Sequence, residues 1–302
     1  MIRKLALVLG VLVLLGGLAF WFLTAPQRLD TAMLQAAPAG DAARGELVFW
    51  AGGCASCHAA SGAEGDARLA LGGGVELVSP FGTFVAPNVS PHADGIGGWS
   101  FEDFANALMR GVSPSGNHYF PAFPYTSYAR MEVGDVADLF AFMQTLPHVA
   151  GVAPAHRIGF PYDVRRAVGL WKRLYLSPDY AVALAGASEQ VARGQYLAEG
   201  PGHCGECHTP RNAIGGLEMS RWLGGAANPT GRGMTPNITP GSPDVGSWSE
   251  DDIASYLETG FTPDFDSAGG QMAEVVKNLA ELPAADRAAI AAYLKAVPAI
   301  SP

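Results

Sequence analysis

Basic residues are scarce in this chain. Its 302 residues include 19 Lys and Arg against 28 Asp and Glu, a formal net charge of −9. No basic stripe is available to neutralise phosphates, which argues against a nucleic-acid partner. Charged residues of both signs make up only 16% of the chain, whereas glycine and proline number 38 and 22. Such a composition suits short helices joined by long ordered loops, with a prosthetic group filling part of the core. Cysteine is equally sparse: there are four, and two short motifs use them all. The chain also lacks a metal-binding H-E-x-x-H helix, a nucleophile elbow and a nucleotide-binding glycine loop.

Long apolar runs are absent except for one. Leu5 to Leu23 form an uncharged stretch of 19 residues led by Arg3 and Lys4. As a helix it would measure about 28 Å, close to the hydrocarbon thickness of a bilayer. The basic pair should remain cytoplasmic, which places everything after Trp21 in the periplasm. A cleaved signal peptide is the alternative, but its apolar core is usually about 7–15 residues and ends at small residues. Here the run ends in Ala19-Phe20-Trp21-Phe22-Leu23. The expectation is a single-pass anchor (residues 1–29) in the bacterial inner membrane, with the remainder facing the periplasm.

What is present is more specific. Cys54-Ala-Ser-Cys57-His58 and Cys204-Gly-Glu-Cys207-His208 are two copies of the pentapeptide that attaches a c-type haem. Two thiols on one turn can form thioethers to the porphyrin, and the histidine is then held beneath the iron as proximal ligand. A zinc ribbon would need its pairs roughly 15–20 residues apart, and here they are 150 apart. A thioredoxin-like motif or a pair of disulfides leaves both histidines unexplained. The expected cofactors are two covalently attached haem c groups, and c-type haem is attached after export, in agreement with the anchor.

The chain also repeats itself at an offset of 149 to 150 residues. Ala86-Pro-Asn88-Val-Ser90 matches Thr235-Pro-Asn237-Ile-Thr239, Trp99-Ser-Phe-Glu-Asp103 matches Trp248-Ser-Glu-Asp-Asp252, and Gly111 matches Gly260. A period this long means a duplicated domain and not a solenoid. Each copy reads as four helical segments around a haem. Ser100 and Ser249 suit N-caps with an acid three residues on. Phe101, Phe104, Ala105, Leu108 and Met109 keep the spacing of a buried helix face, as do Val136, Leu139, Phe140 and Met143 in the last helix of copy one and Ile290, Tyr293 and Leu294 in copy two. Pro147 and Pro298 mark the ends. The expected units are residues 30–150 and 188–302.

These features resemble the class I cytochrome c fold, used twice, so the expected fold class is all-α: two tandem domains behind a transmembrane helix. In that fold a first-helix glycine lets the terminal helix cross closely; the resemblance assigns this role to Gly45 and Gly194, opposite Phe142 and Tyr293. Gly200-Pro-Gly-His-Cys-Gly-Glu-Cys-His-Thr-Pro-Arg-Asn212 and Tyr119-Phe-Pro-Ala-Phe-Pro-Tyr125 are similar to the multihaem cytochrome subunits of membrane-bound alcohol and gluconate dehydrogenases. That similarity covers nearly everything after residue 40, but those subunits typically hold three haems where this chain has motifs for two.

Class I folds place a distal methionine on a loop before the terminal helix, where the thioether stabilises reduced iron. In copy two the resemblance points to Met272, behind Gly269 and Gly270; Met219 and Met234 come too early. In copy one, Met109 and Met143 lie on helical apolar stripes, leaving Met131 as the loop methionine. It lies closer to the terminal helix than Met272 does, and the related subunits often have methionine at the place of Phe123. His118 therefore stays open as an alternative ligand that would give a bis-histidine haem, and an open or unexpected distal site is the third possibility.

His92, His148 and His156 sit in polar or proline-rich loops and are read as solvent-facing, and His203 as a local packing or bonding residue. Asn88, Asn237, Trp99 and Trp248 could hold haem propionates or pin the long loop. Residues 151–187 belong to neither copy; they carry Arg157, Arg165, Arg166, Lys172 and Arg173 among Phe160, Tyr162, Trp171 and Tyr175. Arg165–Tyr175 suits one short amphipathic helix, either bridging the domains or touching anionic lipid or a partner. The functional expectation is a membrane-anchored periplasmic dihaem electron carrier between a dehydrogenase or quinol-oxidising complex and a terminal oxidase or soluble cytochrome. The alternatives are an obligate cytochrome subunit of an alcohol-, aldehyde- or sugar-type dehydrogenase, or a dihaem redox enzyme with an open distal position.

Overall fold

The computed structural model describes residues 1–228 and 233–301; residues 229–232 of the second expected unit lie outside the described residues. The apolar run forms α1 (Ile2–Leu23), a helix of 22 residues of which none is buried. It is long and apolar enough to cross a membrane. A short α2 (Thr31–Gln35) leads to α3 (Ala42–Ala51), started by the Asp41 carboxylate accepting from Ala43 N and Arg44 N. The first cysteine motif is itself a helical turn, α4 (Cys54–His58).

After it come a β1–β2 hairpin (Glu76–Ser79, Gly82–Val85), α5 (Phe101–Arg110), α6 (Tyr125–Tyr128) and α7 (Val133–Met143). A two-residue strand β3 (Arg157–Ile158) pairs antiparallel with β2 and leads to α8 (Val168–Tyr175). The second copy runs α9 (Glu189–Glu199), α10 (Gly205–His208), β4 (Gly224–Ala227), β5 (Met234–Asn237), α11 (Glu250–Thr259), α12 (Gly270–Leu279) and α13 (Ala284–Ala296).

Helices dominate the regular structure of the described residues but make up less than half of them, and the all-α expectation needs amending. Two small antiparallel sheets, β1-β2-β3 and β4-β5, occur in the segments that follow each cysteine motif. Glycines at positive φ, Gly73, Gly74 and Gly82 in the first copy and Gly225 and Gly233 in the second, break helical propagation there. The backbone then satisfies its polar groups by pairing with itself.

The repeat is visible in the geometry. Ser100 and Ser249 each accept a bond from the amide three residues on, and Asp103 and Asp252 each accept one from the serine amide, making two complete capping boxes. α5 and α11 both end on a glycine in the left-handed region, Gly111 and Gly260. The loops that follow close with matching bridges, Val112 with His118 and Phe261 with Ser267. Gly116 and Phe265 fill the same left-handed position in those loops.

The dominant packing in each copy is the crossing of its first and last helices. A Cβ on Gly45 would stand 1.9 Å from Asp138 O, and one on Gly194 1.8 Å from Ala289 O. Both glycines are thus demanded by close backbone approach. An ion pair fastens each crossing: Arg44 Nε to Asp138 Oδ2 at 2.7 Å and Arg193 Nε to Asp286 Oδ1 at 2.9 Å. Most buried apolar residues of both copies form one continuous cluster, from Leu34 to Val297, and Phe84, Phe120 and Val168 form a smaller separate one.

Candidate functional site

Each cysteine motif occupies one turn, so its two thiols and its histidine project from the same short element. None of the four cysteines is in a disulfide. Burial pushes the Cys54 and Cys204 thiols up to about 12, and Cys57 and Cys207 upward as well. His58 Nδ1 lies 2.8 Å from Pro87 O, and His208 Nδ1 lies 2.8 Å from Pro236 O. A carbonyl only accepts, so Nδ1 carries the proton and Nε2 keeps its lone pair for a metal. Burial lowers the pKa of both histidines, which keeps the rings neutral. Thiols in pairs on one turn, a neutral imidazole fixed in its ligating tautomer and an apolar surround fit a covalently attached haem in both copies. The prolyl acceptors were hidden in the sequence because they lie 28 or 29 residues beyond the histidine.

Asn88 and Asn237 serve the loops. Asn88 Nδ2 donates to Val149 O at 2.7 Å and Gly151 O at 2.8 Å, and Asn237 Nδ2 donates to Ile300 O at 2.7 Å. Their Oδ1 atoms accept from Ser90 N and Thr239 N. Each asparagine ties the loop that presents the prolyl carbonyl to the end of its own copy. Trp248 packs edge-on to Tyr256, and Trp99 is packed against the core.

Met131 is buried in the short link between α6 and α7. Met272 sits in the first turn of α12 and not in a loop, partly buried against the core cluster. Gly269 as N-cap and Gly270 at positive φ start that helix just ahead of it. His118 is buried and engaged elsewhere, its Nε2 donating to Thr24 O at 2.8 Å, at the end of α1. Its counterpart in the second copy is Ser267, which cannot ligate iron through nitrogen. His148 is exposed, as expected, whereas His92 is half-buried, its Nδ1 accepting from Asp94 N at 3.1 Å. His156 is not solvent-facing: Nδ1 accepts from Val85 N at 3.0 Å, and the ring packs edge-on to Phe84 and Phe120.

The two motifs, far apart in sequence, meet in space. His203, next to Cys204, donates from Nε2 to Gly52 O at 3.2 Å, two residues before Cys54. This bond crosses between copies and is not the local one expected from its position beside the cysteine. Tyr128 lies against His203 with ring centroids 5.7 Å apart. Asn278 Nδ2 donates to Ser56 Oγ, inside the first motif, at 2.7 Å. Glu206, inside the second, accepts from Thr126 Oγ1 at 2.8 Å and Ser127 Oγ at 3.0 Å. Although burial opposes its charge, Arg211 and the Thr126 hydroxyl hold the Glu206 carboxyl below its usual range.

A second contact missed by sequence reasoning centres on Glu199, which is fully buried. Oε1 accepts from Tyr293 OH at 2.6 Å and Gln195 Nε2 at 2.9 Å, and Oε2 lies 3.8 Å from Arg130 Nε of the first copy. Tyr293 OH in turn accepts from Trp222 Nε1 at 2.9 Å. The Trp222 ring covers Gly205 of the second motif so closely that a Cβ there would meet it at 2.1 Å. The network thus runs from the residue before Met131 to the second cysteine motif.

Comparison with known proteins agrees with this geometry. A dihaem c-type cytochrome of Cereibacter sphaeroides is 56% identical over 290 residues, 96% of each chain. The chain belongs to the dihaem cytochrome c family. Residues 42–147 match the cytochrome c family model. The chain is also similar to the cytochrome c subunit of the quinone alcohol dehydrogenase of Gluconobacter oxydans, at 36% identity over 93% of this chain and 60% of that one. The fructose dehydrogenase cytochrome subunit of Gluconobacter japonicus is 35% identical over 85% of this chain and 52% of that one. The dihaem cytochrome therefore spans little more than half the length of these dehydrogenase-linked relatives. Electron transfer with two covalently held haem c groups is its role.

Between the copies, α8 forms where the amphipathic pattern predicted a helix, with a 3-10 turn, Arg165–Ala167, at its start. Lys172 is buried beneath it and donates to Arg110 O at 2.6 Å and Gly111 O at 2.7 Å. Burial lowers its pKa from the ordinary 10.5 to about 7. The unfolded chain therefore takes up this proton before the folded one as pH falls. Stability should rise with pH between about 7 and 10.5 and gain nothing from Lys172 outside that window. Urea titrations at pH 7 and pH 9 should show a smaller gain in Lys172→Met than in the parent; equal gains would remove the assignment.

Proposed function

We propose that this dihaem cytochrome is a single-pass, membrane-anchored carrier whose two class I domains, residues 30–150 and 188–302, face the periplasm and pass electrons from one docking face to another. The observation that carries this reading is the meeting of the two cysteine motifs through Gly52 and His203. The haem groups supply reversible one-electron chemistry. The chain's own residues set the rest. Cys54, Cys57, Cys204 and Cys207 hold the groups; His58 and His208 offer Nε2 with Nδ1 tied back. Met131 and Met272 are the proposed distal thioethers. The engagement of His118 with Thr24 supports Met131 over it. The net charge of −9 favours partners with basic docking patches.

Replacing Cys204 and Cys207 together by alanine should leave one haem per chain in place of two, read by haemochrome absorbance against protein concentration. Retention of two would refute attachment at the second motif. Substituting Met272 by alanine should abolish the near-infrared magnetic circular dichroism of one methionine-ligated ferric haem and leave the other. An unchanged spectrum would remove Met272 from the ligand set.

The partners proposed are a dehydrogenase or quinol-oxidising complex upstream and a terminal oxidase or soluble cytochrome downstream. A second reading, an obligate cytochrome subunit of one dehydrogenase, draws support from the alcohol- and fructose-dehydrogenase relatives. Capturing the chain from native membranes in mild detergent separates the two. A stoichiometric dehydrogenase large subunit supports the obligate subunit; recovery alone or with oxidase components supports the free carrier.

A further inference from the structure

The end of α1 is gripped by the segment between the copies. Arg166 donates from Nη2 to Trp21 O at 2.6 Å and from Nε to Thr24 Oγ1 at 2.8 Å, and its guanidinium lies 4.2 Å from the Trp21 ring centre. Arg173 Nε donates to Leu23 O. These arginines satisfy carbonyls that the helix end leaves without partners and place positive charge at the negative end of its dipole. Between them, Gly169 lies so close that a Cβ would stand 2.6 Å from Thr24 O. The position of α8 relative to the end of α1 is therefore fixed by direct contact and not by a flexible tether.

That geometry decides which way the exposed side of α8 looks. Leu170, Arg173 and Leu174 are spaced three and one apart and form one stripe along it, continued by Arg166 in the 3-10 turn that leads into the helix. Both arginines reach the end of α1, so Leu170 between them and Leu174 beside them face the side from which α1 leaves the domain. Both leucines are exposed, Leu174 to 68%. Phe160 and Tyr162, in the approach to α8, are exposed to 84% and 50%.

We infer that α8 and its approach form a collar that lies in the lipid headgroup region around the base of α1, with Leu170, Leu174, Phe160 and Tyr162 dipping toward the acyl chains. The occupant of this face is the bilayer itself, because the span is continuous with it. Apolar side chains flanked by arginine are the pattern of helices that lie in a membrane interface. The consequence for electron transfer is a fixed orientation of the first copy over the membrane. The inference rests on the reading of α1 as a membrane anchor.

The test uses the full-length holoprotein in phosphatidylcholine nanodiscs that contain a photoactivatable acyl chain, with the adducts mapped by mass spectrometry. Adducts are expected on α1 and on residues 160–175. In parallel, Leu174→Cys should react several-fold more slowly with a charged maleimide than Asp251→Cys in the same nanodiscs, the native cysteines being held in thioethers. Adducts on α1 alone, with equal maleimide rates, would overturn the collar and leave the anchor standing. Adducts on neither would overturn both.

Discussion

Gly194→Val is expected to abolish the folded second copy, and Gly194→Ala to cost on the order of 3 kcal/mol. A Cβ at this position would stand 1.8 Å from Ala289 O and 2.4 Å from Ala289 C, both backbone atoms of α13. Unbonded carbons normally approach to roughly 3.5 Å, so α9 and α13 would have to separate by more than an ångström. Separation would also pull Arg193 from Asp286 and loosen Tyr293 beneath Glu199. Because the core is continuous, the loss should spread to the first copy. Gly134→Ala is the control: it lies within α7, and its Cβ would meet only Pro38 Cγ at 3.4 Å and Pro38 Cδ at 3.9 Å. That change should be neutral or stabilise by about 0.5–1 kcal/mol. Urea unfolding of the holoproteins decides the matter; a Gly194→Ala protein as stable as its parent would mean that the crossing is not tight.

The second large effect is expected at Glu199. Glu199→Ala should destabilise by roughly 3–5 kcal/mol, because it leaves the Tyr293 hydroxyl and the Gln195 amide without their buried acceptor and removes the counter-charge of Arg130, whose own N–H groups stay bonded to Asp179 O and Thr126 O. Burial already lowers the Arg130 pKa, and Glu199 is the first charge offsetting it. Glu199→Gln keeps an acceptor for Tyr293 and should cost less. A double-mutant cycle with Arg130→Met measures the coupling across the copies: an additive double mutant would show that the 3.8 Å pair contributes no interaction energy. Since Arg130 precedes Met131, the same variants should disturb the environment of the proposed first distal ligand. A change in the first haem's spectrum on Glu199→Ala, absent from Glu199→Gln, would show that disturbance directly.

Much of this molecule is legible in its residues alone. The haem motifs are covalent chemistry compressed into five residues, so no tertiary information is needed to read them. The capping boxes at Ser100 and Ser249 are likewise local, the amide and its acceptor lying three residues apart. The resemblance to the class I fold assigned the crossing glycines, Gly45 and Gly194, and the length and purity of the Leu5–Leu23 run marked the one helix able to span a bilayer among the described residues.

The small sheets escaped because their strands, at two to four residues each, carry too little alternation to compete with loop signals. The placement of Met272 inside α12 escaped because Gly269 and Gly270 read equally well as a loop and as a helix start.

Local chemistry, periodicity and internal repetition are therefore what the amino-acid sequence determined by itself: two haem-binding units, their caps and their apolar first helix. Everything that depends on two distant segments meeting was decided by tertiary structure. The prolyl carbonyls that fix His58 and His208, the His203 bond to Gly52, the Glu199 network and the arginine grip on α1 each join residues that no short window contains. The physical reason is that a buried polar group needs a partner but does not specify where along the chain that partner lies. Only the packing of the helices selects it.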